Sequence, residues 1–239
     1  MKMSRLEALQ AELLRCRKCS RLVAWREEVA EVKRRAYREQ TYWGRPVAGF
    51  GDPRAKLLIV GLAPGAHGAN RTGRVFTGDR SGDFLYAGLF RAGLASQPQS
   101  IGLDDGLKLR GAYVTLPVRC VPPDNKPTPK ELVACRPWLD REWALLKPKV
   151  VLALGAIAWR AVLEQLDWPR PWPEFAHGAE AHADGKPVLL GCYHVSQQNT
   201  QTGRLTEKMF DAVVARAISL SQGRGWPSCE IEESKLHSN

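Results

Sequence analysis

A chain of 239 residues with 44% hydrophobic content carries enough apolar material for one sizeable α/β core. No apolar run approaches the roughly 18 residues that a membrane span needs, and the opening "MKMSRLEALQ" lacks the apolar centre of a secretion signal, so a soluble cytosolic protein is expected. A formal charge of +10 favours a polyanionic partner, because clustered Lys and Arg release counterions when they meet phosphates.

In chain order, Ser4 followed by Glu7 forms a capping-box start, and Leu6, Leu9 and Leu13 keep helical spacing, so a short helix leads into Cys16 and Cys19. The next stretch, "VAWREEVAEVKRRAYREQTYWGRPV", mixes charges of both signs and reads as helix followed by a long surface loop. Four apolar runs read as buried strands: Leu57 to Val60, Ala112 to Val118, Val150 to Leu154 and Pro187 to Tyr193. Helical patterns lie between and after them, near Gly82 to Ala95, Pro129 to Leu146, Ala156 to Leu166 and Leu205 to Ser219. Strands alternating with helices imply a parallel sheet covered on both faces. Residues 1–221 then form one domain, and residues 222–239 read as a flexible tail.

In such sheets ligands bind at the carboxyl ends of the strands, and three unusual segments follow strand ends: Gly61 to Asp79, Arg119 to Asn125, and His194 to Arg204. The first, "GLAPGAHGANRTGRVFTGD", holds five glycines, two arginines and a histidine, which suits an anion approached by backbone. It lacks both the GxxxxGK[ST] and the GxGxxG patterns, which disfavours an ordinary kinase or NTPase. Phe76 reads equally as a core aromatic or a stacking platform, and Asp79 equally as a helix N-cap or a catalytic carboxylate. His194 ends an apolar strand and is followed by the polar run "SQQNTQT", a setting that packing explains poorly. An imidazole there can donate a hydrogen bond to a leaving-group oxygen.

Six cysteines without an export signal argue against a disulfide framework. Cys16 and Cys19 form a CxxC, and with Cys120 and Cys135 they fit either a structural zinc or an iron-sulfur cluster. Arg15, Arg17, Lys18, Arg21 and Arg119 surround them, and cations of this kind lower thiol pKa values. Cys192 sits inside an apolar strand and reads as core, while Cys229 falls in the tail.

Taken jointly, "GLAPGAHGANRTGRVFTGD", "YVTLPVRCVPPDNKPTP", "YHVSQQNTQTGRLT" and the four cysteines resemble the family 5 (type b) uracil-DNA glycosylases of bacteria and archaea, over roughly Leu13 to Phe210. The resemblance implies a three-layer α/β/α sandwich with a central four-stranded parallel sheet, and a 4Fe-4S cluster on Cys16, Cys19, Cys120 and Cys135. It implies a cytosolic monomer that excises uracil, and other deaminated or damaged bases such as hypoxanthine, xanthine and ethenocytosine, from double- and single-stranded DNA. It places Phe76 against the extruded base, His194 at the leaving base, and Asp79 with Asn125 near the sugar and water. Gly61, Leu62, Ala63, Gly65, Leu116, Ser196, Asn199 and Arg204 fall in the matching substrate-binding motifs. Residues Gln197 to Arg204 would fill the gap left in the duplex.

Three positions depart from sister families: Leu62 replaces the polar residue that handles water, Leu116 replaces a uracil-reading asparagine, and His194-Val195-Ser196 replaces His-Pro-Ser. The first shifts the water to Asp79 or to another polar group, and the second fits a relaxed pocket. Two other classes compete with this reading. A non-catalytic metal protein that binds nucleic acid explains the charge and the cysteines but not the three strand-end loops, and a hydrolase of free nucleotides explains the loops but not the charge.

Overall fold

The computed structural model describes residues 3–223, so Cys229 and all but the start of the expected tail lie outside the described residues. Helix α1 (Arg5–Leu13) begins at the expected capping box: the Ser4 hydroxyl accepts from the Glu7 N–H at 3.2 Å, and Glu7 returns the bond to the Ser4 N–H at 2.7 Å. Helix α2 (Ser20–Val32) follows and buries Leu22, Val23, Arg26 and Val29.

The sheet has six strands in the order β1-β3-β2-β4-β6-β5. Four are parallel and central: β2 (Leu57–Val60), β3 (Ala112–Thr115), β4 (Val150–Leu154) and β6 (Val188–Cys192). This is the expected central four-stranded parallel sheet, and two short antiparallel strands, β1 (Phe50–Gly51) and β5 (Glu180–Ala181), extend it at its edges. Two residues each are too few to show a period-two pattern in sequence. The strand expected over Ala112 to Val118 stops at Thr115, where Leu116 and Pro117 leave the ladder for the cleft described below.

Side chains alternate between two cores. Leu57, Ile59, Leu152 and Leu154 face α4 (Arg80–Arg91) and α8 (Glu207–Ser221), where they meet Leu85, Leu89, Phe210 and Val214. Leu58, Val60, Val151 and Ala153 face the other way, against Trp159, Val162 and Leu163 of α6 (Ala156–Gln165) and Leu146 of α5 (Pro129–Leu146). The result is the expected three-layer α/β/α arrangement, with α1 laid on the outer part of α5.

Two short helices sit where only loops were expected: α3 (Ala69–Thr72) and α7 (Gln197–Gln201). Helix α4 starts two residues before the expected Gly82 because Asp79 caps it, and α8 starts two residues after Leu205 because Thr206 caps it.

Candidate active site

A cleft of about 870 Å³ opens at the carboxyl ends of β2, β3, β4 and β6. The loop after β2 contributes Leu62, Ala63, Gly65, Phe76 and Asp79, the segment after β3 contributes Leu116 and Asn125, and the segment after β6 contributes His194 and Ser196. Three expected residues lie outside its lining. Gly61 sits beneath the Phe76 ring, and a Cβ there would come within 2.6 Å of the ring's Cζ. Asn199 donates from Nδ2 to the His194 carbonyl at 2.8 Å, bracing the histidine from behind. Arg204 stacks over Tyr193, with its guanidinium carbon 4.8 Å from the ring centre.

Asp79 caps α4 and also lines the cleft. One carboxylate oxygen accepts from the Gly82 N–H at 3.0 Å and caps α4. The other lies in a notch between Gly65 and Gly68, where a Cβ on Gly68 would collide with it and one on Gly65 would come within 2.9 Å. The cap fixes the side chain, and the two missing Cβ atoms let it reach the cleft.

Phe76 is 9% exposed, packs into the core formed by the α4 and α8 face, and also lines the cleft. Its φ of 50° is a left-handed conformation that costs a non-glycine residue about 1–3 kcal/mol, so the surrounding packing holds it there. The His194 ring centre lies 6.4 Å from that of Phe76, at an interplanar angle of 40°. Burial lowers the His194 pKa, and the nearby Asp79 carboxylate pulls it partly back. Among the described residues no hydrogen-bond partner occupies its ring nitrogens, so the imidazole is free to meet a ligand. Ser196 accepts from the Asn199 N–H at 3.4 Å and caps α7, which explains its place as well as a substrate contact does.

The loop's own arginines are engaged elsewhere. Arg71 donates to the carbonyls of His67 and Gly78 at 2.7 Å each, and Arg74 is buried against Asp105 at 2.7 Å. They hold the loop's shape, and the cations on the cleft wall are Arg34 and Arg80. Sequence reading missed these and noted His67 only as the histidine of a loop that suits an anion, and it also missed Tyr37 and the Gly155–Ile157 segment after β4. The last was detectable by the same strand-end rule that found the other three. Gly155 takes φ +95° where β4 turns into α6, and it packs directly on the His194 Cβ.

Cys16, Cys19, Cys120 and Cys135 line a second, small pocket between the end of α1, the start of α2, the segment after β3 and α5. Buried Arg26 donates to the Cys120 sulfur at 3.0 Å, and the Arg119 N–H to the Cys135 sulfur at 3.4 Å. The Nε atoms of Arg26 and Arg119 and the Trp138 Nε1 are buried there without partners. Among the described residues, no three His, Cys, Asp or Glu side chains are grouped as a site for a single metal ion. The expected lowering of thiol pKa is overturned: burial raises Cys19 and Cys120, with Arg26 opposing only in part, and pushes Cys135 up to about 12 against the pull of Arg119. Arg17 and Arg21 do little for the thiols because they pair with Glu27 and Glu131. Cys192 is buried in β6 as a core residue.

A mostly parallel sheet between helix layers, with its cleft at the strand ends, defines an α/β protein of strand-end chemistry, and comparison makes the class specific. The family model described as the uracil DNA glycosylase superfamily matches residues 48–217, and the chain belongs to that superfamily, within its type-5 branch of N-glycosidic-bond hydrolases. The type-5 uracil-DNA glycosylase of Thermus thermophilus is 55% identical over 216 residues, covering 90% of this chain and 98% of the relative. That of Mycobacterium tuberculosis is 53% identical over 216 residues, covering 89% and 81%, and that of Pyrobaculum aerophilum is 45% identical over 207 residues, covering 87% and 89%.

Proposed function

We propose that this protein extrudes uracil, and also hypoxanthine and xanthine, from double- or single-stranded DNA and hydrolyses the bond to the sugar, leaving an abasic site. The observation that carries this reading is the convergence of Asp79, Asn125, Phe76 and His194 on one cleft. A base must leave the stack to reach such a cleft, at a cost of a few kcal/mol, and Phe76 offers it a flat face in exchange. As the bond breaks, the sugar gains cation character and the base gains negative charge. Asp79 stabilises the first and orients the water, with the Asn125 amide contributing from the same cleft, while the neutral His194 donates to the departing base oxygen. Leu116, buried and apolar at the cleft wall, offers no amide to read one base edge, which favours a broad range of bases.

Cys16, Cys19, Cys120 and Cys135 are assigned here to a 4Fe-4S cluster. The donor set of four sulfurs on one pocket, and unpartnered guanidinium and indole N–H groups around it, suit an anionic thiolate-bound group. Its contribution is to tie the N-terminal helices to the segment after β3 and to α5. Brown protein with equal amounts of iron and sulfide is expected, and a colourless sample containing zinc overturns the assignment. We further infer that residues 1–221 act as one domain and as a monomer in the cytosol, where thiolate ligation survives.

The decisive experiment is incubation with duplexes that carry one uracil, hypoxanthine or xanthine, followed by alkali to break abasic sites. Strand breaks with uracil support the activity, and none with any of the three sinks it. His194→Ala should slow single-turnover excision about 10²–10³-fold while DNA affinity changes little, the size seen when one preorganised donor is removed.

A further inference from the structure

His67 lines the cleft, yet the reading above gives it no task. Its Nδ1 lies 3.0 Å from the hydroxyl of Tyr42, a buried residue whose oxygen also receives the backbone N–H of Arg34 at 3.4 Å. A phenol has one proton. The Arg34 N–H occupies acceptor capacity on the Tyr42 oxygen, which favours the arrangement in which the hydroxyl donates and Nδ1 accepts. A neutral imidazole that accepts at Nδ1 carries its hydrogen on Nε2.

The ring is held firmly in this role. Tyr42 meets it edge-on, with centres 6.1 Å apart at 78°, and Arg71 donates to the His67 carbonyl at 2.7 Å. Burial, then the charges of Arg34 and Arg71, lower its pKa and keep it uncharged at neutral pH. His67 therefore keeps company with cations and a phenol, whereas Phe76, Leu116 and His194 form the apolar end of the cleft that suits a base.

We propose that the Nε2–H of His67 donates a hydrogen bond to a phosphate flanking the extruded nucleotide, beside the Arg34 side chain on the same cleft wall, with Tyr42 fixing the tautomer that makes this possible. The proposal rests on the reading of the cleft as the seat of an extruded nucleotide. It gives the two imidazoles different tasks: His194 serves the leaving base, whose charge changes during reaction, and His67 serves a phosphate, whose charge does not. His67 then holds the substrate without taking part in bond cleavage, so its loss should show in binding and not in the rate at saturation.

The test uses a duplex carrying a stable abasic-site analogue, which keeps the phosphates and lacks the base. His67→Ala should bind it about tenfold more weakly than the wild type, the expected size for losing one hydrogen bond to a charged group. Undamaged duplex should be bound equally by both, and saturating excision of uracil should change less than about threefold. His67→Gln, which places an amide N–H at similar reach, should recover part of the affinity, and Tyr42→Phe should lose part of it. Replacing each flanking phosphate in turn by an uncharged methylphosphonate should weaken wild-type binding, and at one of the two positions His67→Ala should be indifferent. NMR of nitrogen-labelled histidine should find the Nε2–H tautomer at neutral pH. A wild type that excises uracil while His67→Ala binds the analogue normally, or an Nδ1–H tautomer, overturns the proposal alone. A wild type that releases no uracil overturns the glycosylase reading itself.

Discussion

Asp79 holds a structural place as a helix cap, and the proposed reaction gives it a chemical one as well. Its first oxygen caps α4 through the Gly82 N–H, and its second occupies the notch left by Gly65 and Gly68. The two roles separate by substitution. Asp79→Asn keeps a good capping oxygen but removes the charge, so excision should fall about 10²–10⁴-fold while the melting temperature stays nearly constant. Asp79→Ala should add a stability loss of about 0.5–2 kcal/mol to the same loss of rate. Single-turnover excision and thermal melting read the two effects independently, and an Asn variant with normal rate would remove Asp79 from the chemistry. Gly68→Ala approaches the same point from the other side. Gly68 sits at φ −97° and ψ −105°, outside the regions open to alanine, and an added Cβ would also claim the space of the Asp79 carboxylate, so both the rate and the melting temperature should drop.

At the scale of elements, the link between the cleft and the cysteine pocket is a buried polar network that joins β3 to α5. Glu142 of α5 accepts from Tyr113 at 2.8 Å, from Thr115 at 2.5 Å and from the Arg119 guanidinium at 2.6 Å. Gln10 of α1 donates to the Tyr113 hydroxyl at 3.0 Å, so the N-terminal helix is tied to the same group. Burial works against the charge on Arg119, and the Glu142 carboxylate more than offsets it, raising its pKa. Glu142→Ala leaves that guanidinium buried and unpaired, and should cost about 3–5 kcal/mol in a denaturant titration together with loss of the proposed cluster's iron. Arg119→Met with Glu142→Leu removes both charges and should recover most of the stability; a double variant as weak as the single one would refute the pairing argument. None of this was legible in sequence, where Arg119 read only as a cation next to Cys120. Strands β2 and β4 were legible because burial on both faces leaves uninterrupted apolar runs, and α5 because its apolar residues recur at helical spacing; they fall where Leu57 to Val60, Val150 to Leu154 and Pro129 to Leu146 placed them. Helices α3 and α7 were not, since four and five residues carry no periodic apolar face and are held by tertiary bonds and the Ser196 cap. In the site, chemistry-bearing residues at strand ends could be found from type and position. Arg34 and Arg80 could not, and His67 only as a histidine in an anion-suited loop, because their value comes from neighbours distant in sequence.

On the scale of the whole molecule, the parallel sheet gathers four strand-end segments at one edge, and the same packing that shapes the cleft buries three histidines in places that disfavour their charge. Burial is the leading cause for His67, His177 and His194 alike. At His177 protonation also breaks a bond, because its Nδ1 accepts from the Tyr193 N–H at 3.2 Å. Each of the three has a lower pKa folded than unfolded, so the unfolded chain binds protons first as the pH falls. Their contribution to stability is therefore complete above the unfolded value of about 6.5 and is lost as the pH drops through the lower folded values. Buried carboxylates act in a separate window: Asp105, held at about 2 chiefly by Arg74 and three backbone N–H groups against the cost of burial, begins to lose its contribution only below about pH 4. The melting temperature should accordingly stay level from pH 8 to 7, fall between about pH 6.5 and 5, and fall again in stronger acid. His177→Gln, which lies outside the cleft and retains a neutral acceptor, should make the first fall shallower without changing excision. A melting temperature that holds or rises from pH 7 to 5 would show that these imidazoles gain protons on folding, and with that the neutral His194 donor to the leaving base would lose its physical ground.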